Sequence, residues 1–348
     1  MFINKCRTIA RVCDISSKKP GIVTSYVFLS VLLMLIGLAY AIAACAIWGL
    51  IYIFPLLLPQ YDPTLIASAR FAFYGAGCLL LAYFQREKLK TLTLADWFYA
   101  FKLAFFGSLV YYCSLVAGVQ LAGAPVAGMF MSCIPVSVAI ISNLRSRSKG
   151  ASVAWSRLSI PLVLIALGMV VANWTEFAYM VKEHEGSAGL FWLGVGFSAL
   201  SMLLWTWYPI RNADWLLANK RKGPKVWATA QGLSILPVTV IGYFVLALVG
   251  MTPYGTVFGP EPKKFLFLML IAGVVCGWMG AALWNAMSER LPTALAGQLI
   301  VFETIFSVIY AHIWRGQWPT VSMLIGMVML LLGVLAAMRV FRQSRQTS

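Results

Sequence analysis

The sequence predicts an all-α integral membrane protein: ten transmembrane helices, built as two inverted five-helix repeats, with the N- and C-termini both cytoplasmic. Three observations predict it. The chain is 61% hydrophobic and 11% charged, with a mean hydropathy of +0.84, where a soluble domain carries roughly 25% charged residues. Its apolar residues fall into ten stretches, most close to the roughly 20 residues a helix needs to cross hydrocarbon. Lys and Arg gather in alternate connections. Counting Arg339 with the tail, the odd-numbered segments hold 21 of them and the even-numbered ones 4, which places the odd ones inside. The net charge of +16 is thereby explained by membrane topology, and nucleic acid is not expected as a partner.

Residues 1–31 form a basic leader that runs into an apolar segment longer than a signal-peptide core, so 32–58 reads as an uncleaved first span. The second span, 63–84, opens at Pro63, and the third, 97–119, opens at an interfacial Trp97. The fourth, 123–144, is rich in small residues (Gly123, Ala124, Ala127, Gly128) and contains Pro135. The fifth covers 158–174, and an acidic outer segment, Glu176 to Glu185, separates it from the sixth at 188–210. Spans seven to ten cover 226–250, 265–287, 291–314 and 320–340, and 341–348 is a basic cytoplasmic tail. The two repeats are thus 32–174 and 188–340. Tyr61, Trp97, Trp155, Trp174, Trp314 and Trp318 sit near span ends, where interfacial belts are expected. Small residues in spans four and eight permit close helix approach, and Pro55, Pro135 and Pro237 permit kinks.

The halves echo one another in sequence. Pro63 to Arg70 in span two matches Pro224 to Gln231 in span seven, and Trp48 in span one has a counterpart in Trp205 of span six. Ala127-Gly128 matches Ala296-Gly297, and the run from Leu167-Gly168 to Ala172 recurs from Leu332-Gly333 to Ala337. Four matches in one order make a repeat. Five spans is an odd number, so the second unit enters the membrane inverted, an architecture of secondary transporters with the substrate site near the midplane.

Those residues carry a family likeness. Trp48-Gly49, Pro63 to Arg70, Ala124-Pro125 through Pro135, and Trp284-Asn285 followed by Leu291-Pro292 through Glu303 resemble the pattern of the drug/metabolite transporter superfamily, specifically its EamA-type members, over roughly residues 35–340. The resemblance implies a carrier that exports amino acids or related small metabolites without ATP, through a central cavity between two bundles. The leader and the acidic outer segment depart from the simplest members.

Few groups at membrane depth can carry chemistry. Glu303, midway along span nine, is the one acidic residue deep in a predicted span, and intramembrane ionisable residues are functional candidates. It reads either as a site for proton coupling or a substrate ammonium, or as a structural hydrogen bond between helices. Arg70, two turns into span two, offers a fork to a substrate carboxylate, or ties down helix ends or pairs with Asp62. Trp48 and Tyr52 share a face of span one, Tyr111 and Tyr112 lie in mid-span three, Trp205, Trp207 and Tyr208 end span six, and Trp284 and Asn285 sit together in span eight. Such rings can wall an amphipathic cavity or hold an ammonium; they also fill any bundle. Trp48, Tyr52, Arg70, Tyr111, Tyr112, Trp205, Trp284, Asn285 and Gln298 are the candidate cavity residues, with Glu303 the candidate coupling group. Lys102 reads as snorkelling to the cytoplasmic surface, Met129 and Met131 as packing, and His312 as interfacial.

Other classes find little support. No G-x-x-x-x-G-K-[ST] loop, H-E-x-x-H, paired intramembrane aspartate or G-x-S-x-G elbow is present, so no catalytic residue is assigned. The seven cysteines show no C-x-x-C or metal-ligand spacing, so no metal or cofactor is expected. The expected partners are a small-molecule substrate and the bilayer, the expected state a monomer or homodimer, and the expected location the plasma membrane, multi-pass, as in a bacterial inner membrane. Multidrug efflux and metabolite uptake are the alternatives within transport.

Overall fold

The structure, a computed structural model, describes residues 20–58, 60–122, 124–147, 154–183, 188–316 and 318–346. Among these the regular secondary structure is helical, joined by turns and short loops. We label the stretches α1 (Pro20–Gly49), α2 (Pro63–Leu89), α3 (Leu94–Ala122), α4 (Ala124–Ser132 and Ile134–Arg147), α5 (Trp155–Glu183), α6 (Ala188–Ala218), α7 (Pro224–Leu248), α8 (Pro262–Ser288), α9 (Thr293–Leu299 and Val301–Arg315) and α10 (Val321–Gln346). By length and composition, 7 of the described helices can cross a membrane; the apolar parts of α4, α9 and α10 are shorter (Ile134–Arg145, Leu295–Ser307, Val321–Ala337).

Several bounds differ from the expected ones. α1 begins at Pro20, within the expected leader, and passes through a tight turn (Leu50–Tyr52) into the short helix Phe54–Leu57. α5 continues to Glu183, so helix covers much of the expected acidic connection. α6 runs on past Ile210 to Ala218. The remaining ends have local causes. Asp62 caps α2 by accepting from the Thr64 amide at 2.7 Å, with Pro63 at the first helical position where its missing N–H costs nothing. Thr93 and Asp96 form a reciprocal capping box at the start of α3.

Four helices depart from regular α geometry, in two matching pairs. α3 and α8 each contain a π-helical stretch, Phe105–Val110 and Ile271–Met279. α4 is interrupted at Cys133 and α9 at Ile300. Pro135 explains the first break, because it has no N–H to offer the Met131 carbonyl, and Cys133 N instead bonds Phe130 O at 3.0 Å. No proline accompanies the second, where Glu303 N bonds Ile300 O at 2.9 Å.

Helix pairing crosses the two halves. α2 packs along α7, α5 along α10, α3 along α6, α1 along α8 and α9, and α4 along α9. The shared core holds Trp227, Trp284, Tyr112 and Phe265, while Leu80, Phe84, Ile241 and Leu248 are exposed on the outer faces. That apolar exterior suits lipid contact rather than water.

Candidate functional site

At the centre of the bundle α1, α2, α3, α6, α7, α8 and α9 surround a cavity. Its wall is aromatic and amphipathic. Trp48 of α1 meets Trp205 of α6 edge-on at 5.5 Å, and Trp205 stacks between Tyr111 of α3 at 4.6 Å and Tyr208 at 5.1 Å. Trp48 is fixed by donating from Nε1 to the Cys276 carbonyl at 2.9 Å. Gly280 makes that possible, because a Cβ there would collide with the Trp48 indole.

Two ionisable groups of opposite sign line the same cavity. Glu303 lies in the first turn of the second half of α9, is 3% exposed, and accepts from the Tyr52 hydroxyl at 3.1 Å through Oε1. Its Oε2 is buried without a hydrogen-bond partner. The break at Ile300 places this carboxyl beside a helix N-terminus, where the helix dipole favours negative charge. Arg70 is 6% exposed, and its guanidinium lies 4.5 Å from the centre of the Tyr112 ring and 5.0 Å from that of Phe71. Its Nε and Nη1 are buried and lack a hydrogen-bond partner. Arg70 does not pair with Asp62, whose Oδ1 caps α2. Gln231 of α7, which also lines the cavity, accepts from the Tyr208 hydroxyl at 3.0 Å.

The arrangement can therefore engage a solute at three points. Arg70 donates to an anionic group, Glu303 accepts from a cationic or N–H-bearing one, and the rings between them pack on an apolar body. Buried polar atoms left unpaired cost free energy unless water or a ligand completes them. Trp205 Nε1, also buried and unpaired, adds a third donor.

Of the expected residues, Trp48, Arg70, Tyr111, Trp205 and Glu303 line the cavity, and Tyr52 reaches it through Glu303. Tyr112 and Trp284 stand behind the wall, supporting Arg70 and Trp48 respectively. Asn285 lies away from it, fully buried in a hydrogen bond with Asn212. Gln298 is 0% exposed with neither amide atom paired among the described residues, and is not part of the cavity wall. Lys102 is exposed. The side chains of Met129 and His312 fall outside the described residues. Phe71, Tyr74 and Ser108 also line the cavity and the sequence reading does not single them out. Nor does it find Asn212, which it leaves in a loop beyond span six. The signal was helical spacing: Asn212 shares a face with Trp205, Tyr208 and Trp215. Among the described residues no three His, Cys, Asp or Glu side chains are grouped to hold a metal ion.

At the end of the bundle carrying the α1–α2 and α7–α8 connections, Tyr61 donates to the Phe258 carbonyl at 2.9 Å and accepts from the Glu261 amide at 3.2 Å. Hydrogen bonds from Lys264 and then Gln60 hold the Glu261 carboxyl below its ordinary range.

Comparison with known proteins places this architecture. Residues 35–174 match the EamA-like transporter family. The chain is 37% identical over 309 residues to the inner membrane protein YtfF of Escherichia coli (strain K12), covering 88% of this chain and 96% of that one. A solved crystal structure superposes with a TM-score of 0.64 at 14% identity, over 88% of this chain and 98% of its own, which establishes a shared fold. With this helical cage, its central cavity and a relative aligned over nearly its whole length, the chain belongs to the EamA-like transporter family, a drug/metabolite transporter type of multi-pass membrane protein.

Proposed function

We propose that this chain is a secondary carrier of small organic solutes, exporting amino acids or related metabolites by alternating access without ATP. The observation that carries the reading is the pairing of Arg70 and Glu303. They are two buried groups of opposite sign on one cavity wall, each with unpaired polar atoms and not bonded to each other. A zwitterion satisfies both, carboxylate to Arg70 and ammonium to Glu303. Proton coupling follows if Glu303 exchanges its partner for a proton. The location is an inner membrane, as for the relative above.

The proposed topology is ten spans in two inverted five-helix repeats, with both termini cytoplasmic. The charge alternation supports the orientation, and the helix pairing supports the inversion. Adding five to each helix number turns the α3–α6 pair into α8–α1 and leaves α2–α7, α4–α9 and α5–α10 unchanged, as a two-fold axis requires. The matching π stretches and matching breaks obey the same operation.

The test uses purified protein in proteoliposomes loaded with amino acids and small metabolites, with efflux followed by mass spectrometry under an imposed pH gradient. Selective release of zwitterionic solutes, with gradient-driven transport lost and exchange retained in Glu303→Gln, is the expected result. The stacked rings of Tyr111, Trp205 and Tyr208 favour a second reading, efflux of flat apolar compounds. Release of such compounds with Glu303 dispensable would establish it.

A further inference from the structure

The connections at the two ends of the cavity are tied by matching contacts across the halves. Tyr61 stands two residues before Pro63, which opens α2, and Lys222 two residues before Pro224, which opens α7. Tyr61 binds the segment that leads into α8, through Phe258 and Glu261. Lys222 binds the first turn of α3, donating to Asp96 Oδ2 at 2.6 Å. The inverted repeat exchanges these two places, so they are one contact made twice, at opposite mouths.

The two contacts differ in strength. At the α3–α7 end a charged pair, with side chains only 21% and 11% exposed, is reinforced by Trp215 Nε1 donating to Asp96 Oδ1 at 2.9 Å. Thr93 donates twice to Asp96 Oδ2 at 2.8 Å. At the other end Tyr61 makes neutral bonds, and the Glu261 side chain held by Gln60 is 46% exposed.

The charged contact is connected to the cavity wall by a run of buried hydrogen-bonded and stacked groups. Tyr208 bonds Gln231, and Gln231 Nε2 donates to Asn212 Oδ1 at 2.9 Å. Trp227 Nε1 donates to the same oxygen at 2.8 Å, and Asn212 Nδ2 donates to Asn285 Oδ1 at 2.7 Å. The Trp227 ring stacks on Trp215 at 3.4 Å, and Trp215 holds Asp96. Both lone pairs of the Asn212 carbonyl are thereby used, and a change at Gln231 alters the acceptor to which Trp227 donates.

We propose that Asp96–Lys222 is the latch that keeps the cytoplasmic mouth of the cavity shut, and that Asn212 is the positioning residue that joins it to the cavity wall. The inference rests on the carrier reading only for its purpose. The latch itself is a property of the fold. Opening this mouth must separate the first turn of α3 from the α6–α7 turn, breaking both bonds to Asp96. Because the opposite contact is weaker, the resting protein favours closure on the cytoplasmic side.

Hydrogen exchange on the full chain tests this without any solute. Lys222→Met is expected to raise exchange in residues 94–104 and 211–225 by about tenfold, the factor set by about 1.4 kcal/mol. It is also expected to lower exchange in 249–261, because closing one mouth accompanies opening the other. Asn212→Leu is expected to give the same opposed pattern although it touches neither latch residue. Trp227→Phe, which keeps the stacked ring and loses the Asn212 bond, gives a weaker version and decides the matter if Asn212→Leu does not fold. A rise at both ends together indicates general loosening and overturns the proposal, as does no change in 94–104. If wild-type vesicles move no solute while exchange still shifts in opposite senses, the carrier reading falls and the latch stands. Transport with no opposed shift does the reverse.

Discussion

Arg70 does two things that a lysine in its place cannot. Its planar guanidinium lies over Tyr112 and Phe71 while leaving N–H groups free for a carboxylate, and an ammonium on a flexible stem neither stacks nor forks. Arg70→Lys is therefore expected to raise the KM for carboxylate-bearing solutes roughly tenfold, equivalent to about 1.4 kcal/mol, with a smaller change in kcat. Uptake of solutes without a carboxylate, measured in the same vesicles, should be unaffected. Tyr52→Phe probes the other group. Removing its hydroxyl leaves both Glu303 oxygens without a side-chain donor, and hydrogen bonds to charged groups contribute about 1.5–3 kcal/mol. Gradient-driven transport should fall several-fold, less than in Glu303→Gln, whereas a purely structural Glu303 would lower stability and leave coupling intact. Both ionisable residues were legible in the sequence because a charge at membrane depth is rare. Asn212 was not. An uncharged polar residue just past a predicted span looks like a loop, and only the three-dimensional run of Trp227, Gln231 and Asn285 around it reveals a fully buried hub.

Elements fail to be legible for a different reason. The apolar stretches mark where helices lie, since hydrocarbon demands internally bonded backbone, but apolarity is blind to the hydrogen-bond pattern within a helix. The Cys133 break could be read from Pro135. The π stretches and the turn at Ile300 leave no such mark, although they set which residues of α3, α8 and α9 face the cavity. Helix contact is better marked, by small residues. α5 and α10 cross where a Cβ on Gly168 would strike the Gly326 carbonyl and one on Gly326 would strike Gly168 and Ala172. Gly326→Val should thus cost about 1–3 kcal/mol through overpacking, seen as a lower Tm in detergent. At Gly189, where a Cβ meets nothing within 4 Å, the Gly189→Ala change should leave the Tm alone. Equal effects at the two positions would show that the α5–α10 crossing does not depend on close backbone approach.

At the scale of the molecule the sequence suggests a repeat but not how its parts pack. Sequence similarity between halves suggests two five-helix bundles side by side with a cavity between them, and rocking of one against the other. Instead, each of the ten described helices has its main partner in the other half, α2 along α7 and α5 along α10 above all. Rigid separation of the halves would expose nearly every interface. Opening at the helix ends needs only local bending, for which π stretches and broken helices provide the means. Stability must follow the same pattern. In a membrane, helices associate through packing and interhelical bonds rather than by hiding from lipid, so a half deprived of its partners lacks most of what holds it in place. Produced alone, residues 1–187 or 188–348 should insert but remain loosely packed and be degraded. Produced together, they should copurify and recover transport, because the cavity wall and the Asp96–Lys222 pair both form between them. Co-purification with a tag on one half, and hydrogen exchange on each half alone and on the pair, checks this. A first half that is fully protected by itself would show that pairing within each half, rather than across the two, holds the fold.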